Sequence, residues 1–109
     1  MSRSQAKPIF STCDEDPNLT VALDRFVIGL AERVDTLQDA ELDGDLPLLE
    51  RLATELAAQA SELGYAPMRE IAQAVASACH DEKVEDAQAA MVELTDIAAR
   101  IRRGHRGAA

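Results

Sequence analysis

After Pro17 the large apolar side chains recur at intervals of three and four. Leu19, Leu23, Phe26, Val27, Leu30, Val34 and Leu37 therefore share one face of a helix, or of two consecutive helices with Gly29 as the bend. Gly44 closes this segment. Asp45 is a suitable N-cap and Pro47 is tolerated in a first turn, so the next helix is predicted over about 46 to 63. Its stripe is Leu48, Leu49, Leu52, Leu56 and Leu63, flanked by Ala53 and Ala60, and Gly64 supplies the stop. Pro67 opens a helix over about 66 to 80 that turns Met68, Ile71, Ala72, Val75 and Ala78 inward. The charged break His80-Asp81-Glu82-Lys83 separates it from a last helix, about 83 to 103. That helix carries Val84, Ala87, Met91, Leu94, Ile97 or Ala98, and Ile101, and ends in arginines followed by Gly104, which suits a helix C-terminus. Met68 and Met91 read as core fillers, and Tyr65 as a packing residue near a helix start.

Short breaks between long amphipathic helices favour antiparallel neighbours. The predicted fold is all-α, an up-and-down antiparallel four-helix bundle with an N-terminal arm and a short N-terminal helix. Residues 1–16 form the arm, with Ile9 and Phe10 expected to dock it on the body; residues 17–103 form the bundle and 104–109 a flexible tail. Composition agrees with helices. Alanine supplies 20 of the 109 residues, there is no Trp, and only six Val and five Ile are present, which argues against a β-sandwich or barrel. At roughly 1.5 to 3 kcal/mol per large apolar side chain buried, a chain of this length supports one core and excludes two domains.

Charge narrows the partners. Twenty acidic against eleven basic residues give a net −9, and Arg100, Arg102, Arg103 and Arg106 crowd the last ten positions, so residues 1–99 carry −13. Such a field repels phosphate backbones and anionic lipid, so neither nucleic acid nor membrane is expected as a partner. No apolar run approaches the roughly 18 residues of a bilayer span, and the start lacks a signal-peptide core, so a cytoplasmic location is expected. Cys13 and Cys79 are far apart and read as free thiols. No metal site, cofactor motif, P-loop or nucleophile with its base is recognisable: Cys79-His80 with His105 lacks a fourth zinc ligand, and His80 and His105 lack the Glu three positions earlier that a di-iron site needs. His80 reads as a capping or solvated residue, and His105 as part of a flexible charged end.

The order of an arm, the Phe26-Val27 to Leu37 helix, Gly44-Asp45, Leu52-Ala53-Thr54-Glu55-Leu56-Ala57-Ala58 and Gly64-Tyr65 with Met68 and Ile71 resembles the histidine-containing phosphotransfer (HPt) domains of bacterial phosphorelays. The resemblance covers roughly residues 8 to 103. That family usually reads His-x-x-Lys-Gly in this segment, with a Gly about ten positions after the histidine. Here Thr54 stands at the histidine, Ala57 at the lysine and Ala58 at the glycine, while Gly64 keeps the downstream place.

Threonine cannot replace the imidazole. Its hydroxyl is barely ionised at neutral pH, needs a neighbouring base to attack phosphorus, and forms an ester that is a poor phosphoryl donor. Glu50 and Glu55 would oppose an incoming phosphoryl group. The expectation is a non-enzymatic pseudo-HPt protein without catalytic residues. The resemblance implies that a response-regulator receiver domain docks on a patch of Thr54, Glu55, Ala57, Ala58 and Ser61, with Leu30, Arg33 and Leu37 as possible flanking residues from the preceding helix. It also implies a monomer. The alternative is a helical adaptor or assembly protein with an unrelated protein partner, in which Ala57 and Ala58 serve helix propensity or close helix packing.

Overall fold

In the computed structural model, which describes residues 7–105, the chain forms a 3-10 turn at Pro17–Leu19 and five α-helices, with no strand among those residues. They are α1 (Thr20–Ile28), α2 (Leu30–Leu42), α3 (Leu46–Glu62), α4 (Ala66–His80) and α5 (Val84–Gly104). The all-α expectation is met, and the helix boundaries follow the spacing of the apolar residues closely. No helix among the described residues is long and apolar enough to cross a membrane.

Three of the connections are the same device. Each of α2, α3 and α4 ends in a residue with positive φ, at Gly44 (70°), Gly64 (80°) and Glu82 (59°). In each, the next residue's N–H reaches back across the turn: Asp45 to the Ala40 carbonyl, Tyr65 to Ala60 and Lys83 to Ala78. This is the 6→1 closure of a Schellman motif, and it hands the chain to the next helix after three residues. At the start of α3 the Asp45 carboxylate accepts from the Leu48 N–H at 3.1 Å. The junction at Gly29 differs. Its φ is −87°, and the Gly29 N–H still donates to Arg25, so α1 and α2 form a bent, nearly continuous rod.

Helices α2 and α3, and likewise α3 and α4, run in opposite directions. Arg33 near the start of α2 donates to Gln59 near the end of α3. Glu50 near the start of α3 lies 3.4 Å from His80 at the end of α4. Helix α4 packs on α5, and α2 lies against both α3 and α5; the α3–α4 contact is the most extensive of all. Alanine makes it so. Ala53, Ala57 and Ala60 of α3 and Ala72 and Ala78 of α4 are buried, and short side chains let two helices approach closely. Leu49, Leu56, Met68, Val75, Leu94 and Ile101 fill the centre with almost no exposed surface, and Phe26 stacks on Tyr65 at 5.5 Å between ring centroids. The reading of Met68, Met91 and Tyr65 as packing residues agrees with their burial.

The arm is pinned across one end. The Ile9 N–H donates to the Arg100 carbonyl and the Thr12 N–H to Gly64, both at 3.0 Å. The Ser11 hydroxyl donates to the Leu63 carbonyl, and Arg100 Nε to Lys7 at 2.8 Å. Four expectations need correction. Phe10 is 58% exposed, so Ile9 and the backbone, rather than the Phe10 ring, hold the arm. Val84 opens α5 at the edge of the fold and is half exposed, and Leu48 and Leu52 lie at the margin of the core rather than inside it. The tail does not begin at 104. Gly104 is buried inside α5, and His105 Nε2 lies within hydrogen-bonding distance, 2.7 Å, of Asp24 Oδ1 of α1, a contact with a nearly buried imidazole that anchors the helix end. Residues 1–6 of the expected arm and 106–109 of the expected tail lie outside the described residues.

Two glycines make room for the arm. A Cβ at Gly64 would stand 2.5 Å from Thr12 Oγ1 and 2.9 Å from the Cys13 nitrogen; at Gly104 it would stand 2.7 Å from the Ile9 oxygen. Gly64→Ala and Gly104→Ala are each expected to lower unfolding free energy by about 1–3 kcal/mol in urea titrations. Gly44→Ala, which meets nothing within 4 Å, should cost only about 1 kcal/mol for its left-handed backbone, and Glu82→Gly should gain about 0.5–1 kcal/mol. Equal losses at positions 44 and 64 would show that the arm is not clamped there.

Burial, aided by nearby Asp14, pushes the Tyr65 phenol from 10.0 up to about 12. Because the folded value is the higher one, the unfolded chain releases this proton first. The associated stability, on the order of 2–3 kcal/mol, is present below pH 10 and is lost between pH 10 and about 12. With one Tyr and no Trp in the chain, near-ultraviolet absorbance follows this group alone. Tyrosinate is expected to appear near pH 12 or with unfolding, and ionisation near 10 in the folded protein would refute the burial.

Candidate functional site

The outer face of α3 carries the expected docking residues, and the helix sorts them. Thr54, Glu55, Ala58 and Ser61 are exposed. Thr54, Ala58 and Ser61 follow one another at four and three residues and so form one open strip of small side chains along the helix. The Thr54 hydroxyl donates to the Glu50 carbonyl at 2.8 Å, which commits its proton to the helix backbone. Glu55 pairs with Arg51 at 3.5 Å, both largely in water, a contact worth little energetically.

One expected patch residue, Ala57, and two of the possible flanking residues, Leu30 and Leu37, belong to the interior instead. Ala57 is 5% exposed, one turn beyond Ala53 and three residues before Ala60 on the buried side of α3. It is a packing residue, as the adaptor reading allowed. Leu30 and Leu37 of α2 are buried at 0% and 2%, so they join the core and cannot flank a surface site. Arg33 does lie beside the α3 strip. Its guanidinium donates to Gln59 Oε1; partial burial pulls its pKa below the ordinary arginine value, and Glu55 acts in the opposite direction.

No chemistry gathers around Thr54. The hydrogen bond its hydroxyl makes goes to a backbone carbonyl, and His80, three-quarters exposed, sits against Glu50 one turn away. Burial, with Glu50 and Glu41 adding to it, pushes the Cys79 thiol up, which suppresses the thiolate and makes this cysteine a poor nucleophile. Among the described residues no group of three or more His, Cys, Asp or Glu side chains is arranged to hold a metal ion. What the face of α3 offers is shape: small side chains and one hydroxyl, bordered by Glu55, Arg51 and Arg33.

Two features escaped the sequence reading. One is the His105–Asp24 pair, 81 residues apart in the chain, for which no local signal exists. The other is a groove between α2 and α5 bordered by Leu42 and Val92, which are 83% and 73% exposed. Leu42 stands five residues beyond Leu37 and Val92 directly after Met91, so both fall off the inward stripes, and that departure was the available signal.

The split between positions 57 and 58 is testable. Ala57→Lys forces a charge into the α3–α4 contact and is expected to cost about 2–4 kcal/mol, whereas Ala58→Lys should stay within about 0.5 kcal/mol of wild type in urea titrations. Comparable losses at the two positions would refute the assignment. Compared with protein-family models, curated proteins and solved structures, the chain matches none.

Proposed function

We propose that this chain is a non-catalytic, HPt-like signalling protein that docks a response-regulator receiver domain on the outer face of α3, acting as a cytoplasmic monomer. The observation that carries this reading is the open strip of Thr54, Ala58 and Ser61, whose threonine, with its hydroxyl committed to the helix backbone, holds the position that the resemblance to HPt domains assigns to a relay histidine. Small side chains on a rigid helix let a partner surface come close with little loss of side-chain freedom. The reversed contacts of α2 with α3 and of α3 with α4, and the packing of α5 on both α4 and α2, support an up-and-down four-helix arrangement, with α1 as the short N-terminal helix.

The same residues argue against phosphoryl transfer. No general base meets the Thr54 hydroxyl, and Ala57 is interior, so no side chain at that position can stabilise a phosphoryl oxygen. The role that follows is occupancy. A receiver bound here is withheld from a true phosphotransfer partner without being dephosphorylated or phosphorylated.

The test is binding of the purified protein to the receiver domains of its host, beside the exposed-site variant Ala58→Arg. Selective binding near micromolar Kd, weakened about tenfold or more by Ala58→Arg and competed by an active HPt protein, is expected. No phosphate should be found on Thr54 after incubation with a phosphorylated receiver. Absence of binding to every receiver, or binding indifferent to Ala58→Arg, would overturn the proposal.

A further inference from the structure

The groove between α2 and α5 is a second surface, distinct from the face of α3. It encloses about 560 Å³ between the C-terminal half of α2 and the N-terminal half of α5. Met91 lies in its floor, Leu42 and Val92 border it, and the Gln38 amide donates to Thr95 Oγ1 at 3.2 Å across it. Two large exposed apolar side chains, Leu42 and Val92, line the groove, and a third, Val84, lies outside it on α5. Leu42, Val92 and Val84, which lies two turns before Val92 on α5, are half to four-fifths exposed. Scattered apolar residues on a surface need no explanation, whereas two that line the same groove make it a candidate docking surface.

Charge identifies the occupant. Between Arg33 and Arg51 the chain has no basic residue and six acidic ones, Asp35, Asp39, Glu41, Asp43, Asp45 and Glu50; between Lys83 and Arg100 it has none and four acidic ones, Glu85, Asp86, Glu93 and Asp96. Asp45 and Glu50 belong to α3, which leaves Asp35, Asp39, Glu41 and Asp43 along α2 and its end, and Glu85, Asp86, Glu93 and Asp96 on α5, eight acidic residues with no cation among them on the two segments that border the groove. Helical spacing brings several of them to its rim. Asp35 and Asp39 precede Leu42 by seven and three positions, and Glu85 and Asp96 lie seven before and four after Val92, so each shares a face with the apolar residue it flanks. All four are exposed, and of these Asp96 is bridged to Arg100 at 3.5 Å. Glu41 lines the groove itself.

We infer that this groove receives a basic amphipathic helix of a partner protein, its apolar side chains seated between Leu42 and Val92 and its Lys or Arg residues facing the acidic rim. Helix-in-groove recognition needs an apolar trough with a polar border, and the sign of the border selects the partner. A second copy of this chain would oppose one acidic rim with another, and anionic lipid or nucleic acid would meet the same repulsion. This surface is independent of the receiver-docking strip, and each can fail without the other.

The probe is a displayed library of random helical peptides selected on the immobilised wild-type protein, with counter-selection on Leu42→Ser/Val92→Ser. Both substitutions are at exposed positions and should leave helicity and urea midpoint unchanged, which circular dichroism checks. Enrichment of peptides with apolar residues at helical spacing flanked by Lys or Arg is expected. Their affinity should fall about tenfold in the serine variant, fall in Asp35→Asn/Asp39→Asn, and weaken with added salt. Ala58→Arg should leave it unchanged. Enrichment of neutral, acidic or non-amphipathic peptides, no enrichment at all, or a dimer of the wild type that the serine pair dissociates would each overturn the inference.

Discussion

Everything in this fold depends on how closely α3 and α4 approach. The chain has few large side chains, so the dispersion and burial that a bulkier core draws from Leu, Ile and Phe must come here from proximity. Alanines on the inner faces of both helices permit it, and Leu49, Leu56, Met68 and Val75 then reach the shared centre with almost no exposed surface. The same closeness limits what the site can be. A residue on the inner side of α3 has no room to grow, which is why Ala57 belongs to the packing while Ala58, the next residue, faces water.

The arm and the helix ends extend this constraint to one pole of the molecule. Gly64 serves two purposes at once: it takes the left-handed conformation that closes α3, and its missing Cβ leaves the space in which Ser11 and Thr12 bond to the turn. Gly104 does the equivalent for Ile9 at the end of α5, and His105 ties that end to α1 through Asp24. The end of α3, the end of α5 and the segment from Lys7 to Thr12 are thus locked to one another. At the other pole, where α2 ends and α5 begins, no described segment plays the part of the arm, and Leu42 and Val92 face outward.

The helices were legible in the sequence because period and punctuation agreed. Apolar residues at threes and fours, Asp45 and Pro47 at a start, and Gly44 and Gly64 at stops each carry a local reason that tertiary structure did not override. The turn at Glu82 was legible only as a break, since the left-handed residue there is not a glycine. The site was harder to read. Thr54, Ala58 and Ser61 are exposed as expected, but alanine gives no hydrophobic contrast between inside and outside, and Ala57 was assigned to the wrong side. Leu30 and Leu37 were already on the inward stripe by spacing, and only the resemblance to HPt domains suggested an outward role. The His105–Asp24 pair joins distant parts of the chain and leaves no periodic trace.

The acidic pole sets local preference against the global charge pattern. The C-terminal turn of α2 carries Asp39 and Glu41, followed by Asp43, where the helix dipole favours cations, and its last turn has no basic residue. Each such charge works against the dipole by about 0.3–1 kcal/mol when exposed. Asp45 is accounted for, because its carboxylate caps α3. The others cap nothing in the hydrogen bonds described, and mutual repulsion among them adds to the cost. The α5 terminus shows the opposite arrangement, with Glu85 and Asp86 in its first turn and Arg102 and Arg103 in its last, as the dipole prefers. A chain able to place its charges well at α5 has nonetheless kept an unfavourable set beside an exposed apolar groove, and departures from local consistency of this kind concentrate where a surface is used.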